Sequence, residues 1–303
     1  MNKRKIQISL GIFWLLDGLL QLQPNMFTKA TNENLFNSVA MGQPSLIKAP
    51  MDLAAHMFLT NVILFNSLTA ITQLVIGILI VSKRYTNLGL IISIGWGLLI
   101  WFVGEGFGGL PTMMASVITG APGAVLLYVI IALAVLNSDK KEASDKANQS
   151  AYWLPFAWAA LWIGGGIYQI FSQTASTDML SQMIYSAPNG GPNWLIGLDQ
   201  YTAGLINSLG VWANIIIVTT MLLLGLSVFY RRTRIIGIIL AIIVSIIFWV
   251  VGQNIGTIYS GGSTDPNSGL LYCLMGLAIL GIKFIPFKAL TNKVYSDLEN
   301  ILV

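Results

Sequence analysis

The sequence Trp14-Leu-Leu-Asp-Gly-Leu-Leu-Gln21 recurs 148 residues later as Trp162-Ile-Gly-Gly-Gly-Ile-Tyr-Gln169, and this recurrence decides the fold. The same offset relates further pairs along the chain: Gly42 and Gly190, Asn66 and Asn214, Gly77 and Gly225, Arg84 and Arg232, and Trp101 and Trp249. A four-residue insertion then shifts the match, so that Pro122 aligns with Pro266. A repeat of this length indicates two copies of one folding unit rather than a solenoid.

The composition indicates a membrane protein. Hydrophobic residues make up 55% of the 303 and charged residues only 9%, whereas a soluble domain carries about 25% charged residues. The net charge of +4 does not favour a nucleic-acid partner, because the basic residues lie in short clusters between apolar runs, which is typical of membrane topology. We therefore predict an all-α integral membrane protein of the cytoplasmic (plasma) membrane, with lipids as its first partners.

Eight apolar runs come near the roughly 20 residues that a membrane crossing needs. They are 6–23, 58–82, 87–108, 116–137, 152–172, 203–230, 235–256 and 269–287. Four crossings per copy return the chain to its starting side, so we expect two parallel four-helix repeats related by a pseudo-two-fold axis along the membrane normal. All Lys and Arg except Lys29 and Lys48 then fall on one side, which places both termini in the cytoplasm.

This topology divides the chain into four parts. They are a first four-helix repeat over 1–137, a cytoplasmic linker over 138–150, a second repeat over 151–288 and a cytoplasmic tail over 289–303.

Single cysteine and histidine residues limit the chemistry that the chain supports alone. Cys273 has no partner for a disulfide, and His56 alone cannot form a bis-histidine haem site or a His-rich zinc site. No nucleophile–base pair stands at recognisable spacing, so we predict neither catalytic residues nor a metal site, and enzymatic acid/base catalysis is the last-ranked hypothesis.

Asp17 shares one helical face with Trp14, Gly18 and Gln21. It lies about 16 Å along the first apolar run, near the middle of the membrane. A carboxyl group there usually faces a cavity, a partner or a proton path. A packing role, in which the carboxyl hydrogen-bonds a neighbouring helix, is the open alternative.

Glu105 follows the same spacing on the third run, within Trp101-x-x-Gly-Glu-x-x-Gly108. In the second copy Gly165 stands in place of Asp17, and Gln253 in place of Glu105. This difference favours one asymmetric polar site between the copies, although neutral drift would produce the same pattern. The predicted ligand- or proton-binding residues are Asp17, Gln21, Glu105, Gln169, Gln253 and Asn254.

Tryptophan and glycine residues at matching positions of both copies are predicted to pack helices together, because small residues let membrane helices approach closely. They are Trp14, Gly18, Trp101, Gly104, Gly108, Trp162, Gly166, Trp249, Gly252 and Gly256.

Each copy resembles the four-helix DoxX-like superfamily of membrane proteins. The resemblance rests on Gly11, Trp14 and Gly18, then Leu74, Gly77 and Leu79, then Lys83 and Arg84, and in the second copy on Trp162, Gly166, Leu222, Gly225, Leu226, Arg231 and Arg232. It implies a link to quinone-coupled sulfur oxidation or to the maturation of periplasmic redox proteins. The chain departs from that pattern at Gln21, where the family more often has a basic residue.

Two functional hypotheses follow. The first is a cofactor-free intramembrane polar site that binds or translocates a small solute or a proton. The alternative is an accessory or anchoring subunit of a quinone-linked redox complex, in which the chain would bind quinone or lipid at most. A homo-oligomer is compatible with both.

Overall fold

A computed structural model describes residues 3–139, 153–186 and 191–282, and these residues form a helical bundle with no strand. Twelve α-helices lie in the described ranges. They are α1 (Lys3–Gln21), α2 (Lys29–Ala40), α3 (Ser45–Thr60), α4 (Val62–Val81), α5 (Thr86–Val103), α6 (Ala124–Asp139), α7 (Leu154–Phe171), α8 (Thr177–Ser186), α9 (Asn193–Leu209), α10 (Val211–Ser227), α11 (Arg234–Val250) and α12 (Ser268–Leu280). The prediction of an all-α fold is confirmed. The linker beyond residue 139 and the tail beyond residue 282 lie outside the described residues.

Three helices of the described chain are long and apolar enough to cross a membrane. They are α4, α5 with its continuation to Thr112, and α7; α9 and α10 add a fourth crossing if the bent pair forms one span. The apolar helices at Ala124–Asn137, Arg234–Val250 and Ser268–Leu280 are shorter than a full crossing. A membrane protein is therefore supported, whereas eight crossings stay a prediction.

Two of the expected apolar runs are interrupted within the run itself. The run 58–82 breaks at Asn61, whose side-chain oxygen accepts the backbone N–H of Leu64 at 3.1 Å and so caps the start of α4. The run 203–230 breaks at Gly210, where a φ of +56° turns the chain by 104° between α9 and α10. Hydropathy alone does not detect either break, because the residues on both sides are apolar.

The runs 87–108 and 116–137 differ from their helices for another reason. Helix α5 ends at Val103, and the glycines that follow adopt left-handed φ angles at Gly106, Gly108 and Gly109. The chain then forms turns until Ala124, where α6 begins. The segment 113–123 is therefore an irregular loop that packs into the bundle, with Val117 and Ile118 both 4% exposed.

Helix α1 packs against α4, α5 against α6, α7 against α10 and α11 against α12, and α6 contacts α12 at the centre of the molecule. Glycines allow α1 and α4 to approach closely, because a methyl group added at Gly77 would lie only 2.8 Å from the carbonyl oxygen of Gly11. Two buried aromatic pairs, Trp14 with Tyr128 and Trp162 with Tyr272, lie in the central apolar core.

Trp101, near the end of α5, and Trp249, near the end of α11, make equivalent contacts. The Trp101 indole N–H donates to the carbonyl oxygen of Pro122 at 2.7 Å, and that of Trp249 donates to Pro266 at 2.7 Å. Each bond holds the loop that leads into the next helix, α6 or α12. Gly108 is needed beside the first of these bonds, because a side chain there would collide with the Pro122 carbonyl group.

The other glycines of the predicted packing motif differ in how closely they are packed. Gly18, Gly252 and Gly256 are tightly packed, with Leu74, Ile118 and Pro266 respectively in the space that a side chain would need. Gly166 is less tight, with Met221 at 3.3 Å. Gly104 meets only its own helix and lines a cavity instead.

Candidate functional site

A cavity of about 610 Å³ lies between α1, α4 and α5. Helices α2 and α3 cover it on one side, and residues of the segments 115–125 and 264–267 complete the wall. Its polar lining residues are Asp17, Gln21, Asn32, Thr69, Gln73, Glu105, Thr119, Thr264, Asp265 and Asn267. The cavity has the volume that small-molecule sites usually have, about 300–1,000 Å³.

Asp17 lies in the wall of this cavity and is 2% exposed. One of its carboxyl oxygens, Oδ1, has no hydrogen-bond partner. The Tyr128 hydroxyl of α6 lies beside the carboxyl group. Because α1 extends from Lys3 to Gln21, Asp17 is about 6 Å from the end of the helix, closer to that end than the sequence predicted.

Two amide side chains also line the cavity, one from α1 and one from α4. Gln21 is 7% exposed and Gln73 is 6% exposed, and the Oε1 atom of each has no hydrogen-bond partner. Asn66 fixes the local backbone by donating to the Gln21 carbonyl oxygen at 2.8 Å. The cavity therefore contains further buried acceptor atoms besides the Asp17 oxygen.

Glu105 follows the end of α5 and uses its two oxygens differently. Oε1 accepts the backbone N–H of Val125 at 3.2 Å and so caps the start of α6, whereas Oε2 has no partner. Gly123, with a φ of +103°, lies against Oε2, and any side chain there would collide with it. Gly123 thus makes room for Oε2, and the Glu105 side chain forms part of the cavity wall.

Asp265 is the functional candidate that the sequence did not reveal. It belongs to the loop between α11 and α12, yet it lines the cavity and lies close enough to Asp17 and Glu105 to interact with both electrostatically. Burial raises the pKa of its carboxyl group, and hydrogen bonds from the Thr264 hydroxyl at 2.9 Å and the Asn267 N–H at 2.7 Å oppose that shift. The sequence shows only an acidic residue in a turn.

The charge of the cavity is one-sided. Asp17, Glu105 and Asp265 line it, and no Lys, Arg or His is among the described residues that do so. The resolved ion pairs nearby, Lys29 with Glu33 and Lys48 with Asp52, join residues within α2 and within α3. The three carboxyl groups therefore face the cavity without a basic side chain in its wall.

Aromatic rings form part of the cover. Phe58 of α3 contacts both Phe36 of α2 and Phe65 of α4, with ring centroids 5.3 Å and 5.9 Å away respectively. Trp96 of α5 also lines the cavity, and its indole N–H has no partner. The wall thus combines acidic groups with an aromatic surface.

The remaining predicted site residues lie elsewhere. The Gln169 side chain accepts from Ser116 at 2.9 Å and donates to Thr174 at 2.7 Å. Gln253 accepts the backbone N–H of Gly269 at 2.9 Å. Asn254 is buried at a left-handed φ of +50° and does not line the cavity.

Among the described residues, these three side chains do not line the cavity around Asp17, and the ligand- or proton-binding roles of Gln169, Gln253 and Asn254 stay predictions. The second half contributes Thr264, Asp265 and Asn267 instead.

The position in the second half that corresponds to Asp17 is filled. A methyl group added at Gly165 would lie 2.6 Å from Val117 and 2.8 Å from Met221. Val117 belongs to the loop between α5 and α6, which contains the four-residue insertion, and Met221 stands where Gln73 stands in the first half. Apolar side chains therefore occupy the space that is open around Asp17.

The resemblance to DoxX-like proteins stays a prediction, because no protein-family model, no curated protein and no solved structure matches the chain.

Proposed function

We propose that this chain is an integral membrane protein that binds or translocates a small solute or a proton in the cavity around Asp17. The observation that carries the proposal is a carboxyl group, 2% exposed, with an unpartnered oxygen in a cavity of about 610 Å³. An ionisable group inside a membrane is costly and usually marks a ligand or ion path. The packing alternative for Asp17 would rest on the Tyr128 hydroxyl of α6, which lies beside the same carboxyl group.

The proposal includes eight crossings in two parallel four-helix units of the plasma membrane, with both termini in the cytoplasm. Helix starts support the duplication, since α3 begins at Ser45 and α9 at Asn193, 148 residues later. Shared contacts support it too, because Trp101 and Trp249 bind the carbonyl groups of aligned prolines. In this arrangement the shorter helices α6, α11 and α12 cross together with the loops that precede or follow them.

Ligand-induced stabilisation of the full-length protein in lipid nanodiscs tests the proposal. We would compare the thermal unfolding midpoint in the presence of small ammonium ions, alcohols and carboxylates, since a ligand that binds only the folded state raises it. At least one class should raise the midpoint of the wild type. In the Asp17→Asn variant the same ligand should leave the unfolding midpoint at the value measured without ligand.

Glu33→Gln is the matched control, because Glu33 is an exposed carboxylate of α2 outside the cavity lining. It should respond to ligand as the wild type does. A wild type that no class stabilises, or a rise that survives in Asp17→Asn, would contradict a binding site at this cavity.

A further inference from the structure

We infer that the cavity binds an organic cation, a small amine with an apolar body; this rests on the proposed function and specifies its ligand. Charge is the first reason. Asp17, Glu105 and Asp265 share one cavity, and no described lining residue carries a positive charge. Clefts lined by one sign of charge favour ligands of the opposite sign. A cation would stabilise the ionised form of these carboxyl groups, whereas an anion would disfavour it.

Hydrogen-bonding capacity is the second reason. Five buried side-chain atoms of the described lining residues lack partners: four acceptors, which are Asp17 Oδ1, Glu105 Oε2 and the Oε1 atoms of Gln21 and Gln73, and one donor, the Trp96 indole N–H. Asp17, Gln21 and Gln73 are each more than nine-tenths buried, so water does not satisfy them freely. A ligand that complements this wall must donate several hydrogen bonds. An ammonium group has up to three N–H donors and bears the matching charge.

The apolar part of the wall excludes a bare inorganic ion as the best fit. Ca²⁺ takes six to eight oxygen ligands, and Na⁺ or Mg²⁺ likewise needs an oxygen-rich shell. No group of three or more His, Cys, Asp or Glu side chains in the described chain is close enough to hold a metal ion. Phe36, Phe58, Phe65 and Trp96 instead contribute aromatic and apolar area to the lining.

Aromatic rings attract cations through their faces and also bury apolar substituents. The volume of about 610 Å³ exceeds what a proton path requires and matches a molecule with several non-hydrogen atoms. The acidic groups and the aromatic cover thus select for one molecule with a charged end and an apolar end.

Equilibrium binding to the full-length protein in nanodiscs tests the ligand class. The probes are two primary ammonium ions of increasing size (ethylammonium and 2-phenylethylammonium), each with an alcohol and a carboxylate of matched shape. We expect at least one ammonium ion to bind about tenfold to a hundredfold more tightly than its matched alcohol, as loss of a charge-assisted hydrogen bond predicts. The carboxylate should bind more weakly still.

Asp17→Asn and Glu105→Gln should each remove most of the preference for the ammonium ion over the alcohol. Glu33→Gln should leave it unchanged. If an alcohol or a carboxylate binds the wild type as tightly as its matched ammonium ion, and Asp17→Asn abolishes that binding, the cavity is a site for another ligand class. If no probe of any class binds, both the cation inference and the proposed function are contradicted.

Discussion

Glu105 and Gln253 show what one atom changes in a duplicated sequence. Both side chains accept the backbone N–H at the start of a helix, Glu105 from Val125 at 3.2 Å and Gln253 from Gly269 at 2.9 Å. The structural bond is therefore available to an amide as well as to a carboxylate. What distinguishes Glu105 is its second oxygen, a buried carboxyl oxygen without a partner that lies against Gly123, on a side chain that lines the cavity.

This equivalence predicts how variants of Glu105 behave. Glu105→Gln should keep the free energy of unfolding close to that of the wild type, because the amide oxygen still accepts the Val125 N–H. Glu105→Ala should lower it by about 1–3 kcal/mol, since it leaves that buried donor unpaired. Denaturant titration of both variants in the same detergent measures the difference. Equal destabilisation of the two variants would show that the capping bond does not decide stability.

Asp265 predicts a pH dependence at the residue scale. Burial raises the pKa of this carboxyl group above its ordinary value of 3.8, so the folded protein holds the proton more tightly than the unfolded chain. Stability contributed by the protonated group is then lost as the pH rises from about 4 through the folded pKa. Asp265→Asn removes this loss and keeps an oxygen for the Asn267 N–H.

The unfolding midpoints of wild type and Asp265→Asn, followed from pH 4 to pH 8, measure this effect. The unfolding midpoint of the variant should rise relative to that of the wild type as the pH increases. A constant difference across that range would mean that Asp265 does not titrate differently in the folded state.

At the scale of elements, close contact between α1 and α4 positions the face that bears Asp17. Gly77 allows that contact, because an added methyl group would lie 2.7 Å from Leu15 and 2.8 Å from the Gly11 backbone. Gly95 of α5 is a contrasting glycine, with no atom within 4 Å of the same added group.

These two glycines should respond oppositely to alanine. Gly77→Ala should destabilise the protein by about 1–3 kcal/mol, since the helices must separate. Gly95→Ala should be neutral or stabilise by up to about 1 kcal/mol, because alanine favours the helix. Unfolding free energies of both variants decide the point, and similar values for the two would contradict the close packing of α1 on α4.

Elements also show which features local sequence predicts. Helical periodicity places Asp17 and Gln21 on one helical face, and the structure has both in the cavity wall. The break at Asn61 has a local signal, since Asn is a preferred N-terminal cap, but the surrounding apolar run masks it.

At the scale of the whole molecule, the features that sequence periodicity does not predict are those that depend on contacts between the halves. Asp265 reaches the cavity of the first half, and Val117 enters the second half beside Gly165. Neither contact follows from helical spacing, because each joins a loop to a distant helix. The hydrogen bonds of Gln169 and Gln253 do not follow from helical spacing either, because their side-chain amides bind neighbouring groups of the loops and helix ends.

The two halves therefore share helix order but differ in what fills them. In the first half an acidic cavity is open, and in the second half Val117 and Met221 occupy the corresponding place. This difference supports the proposal of one asymmetric polar site, in agreement with Gly165 and Gln253 at the positions that align with Asp17 and Glu105.

Thiol labelling in lipid nanodiscs tests the central claim, a hydrated ligand-binding cavity, most directly. Thr69→Cys places a thiol in the cavity wall, and Leu68→Cys places one on the neighbouring apolar surface, where Leu68 is 50% exposed. Both carry Cys273→Ser. A charged, membrane-impermeant thiol reagent should label Thr69→Cys and not Leu68→Cys, and 2-phenylethylammonium should slow that labelling. No labelling of Thr69→Cys, or a rate that no ammonium probe changes, would contradict the account.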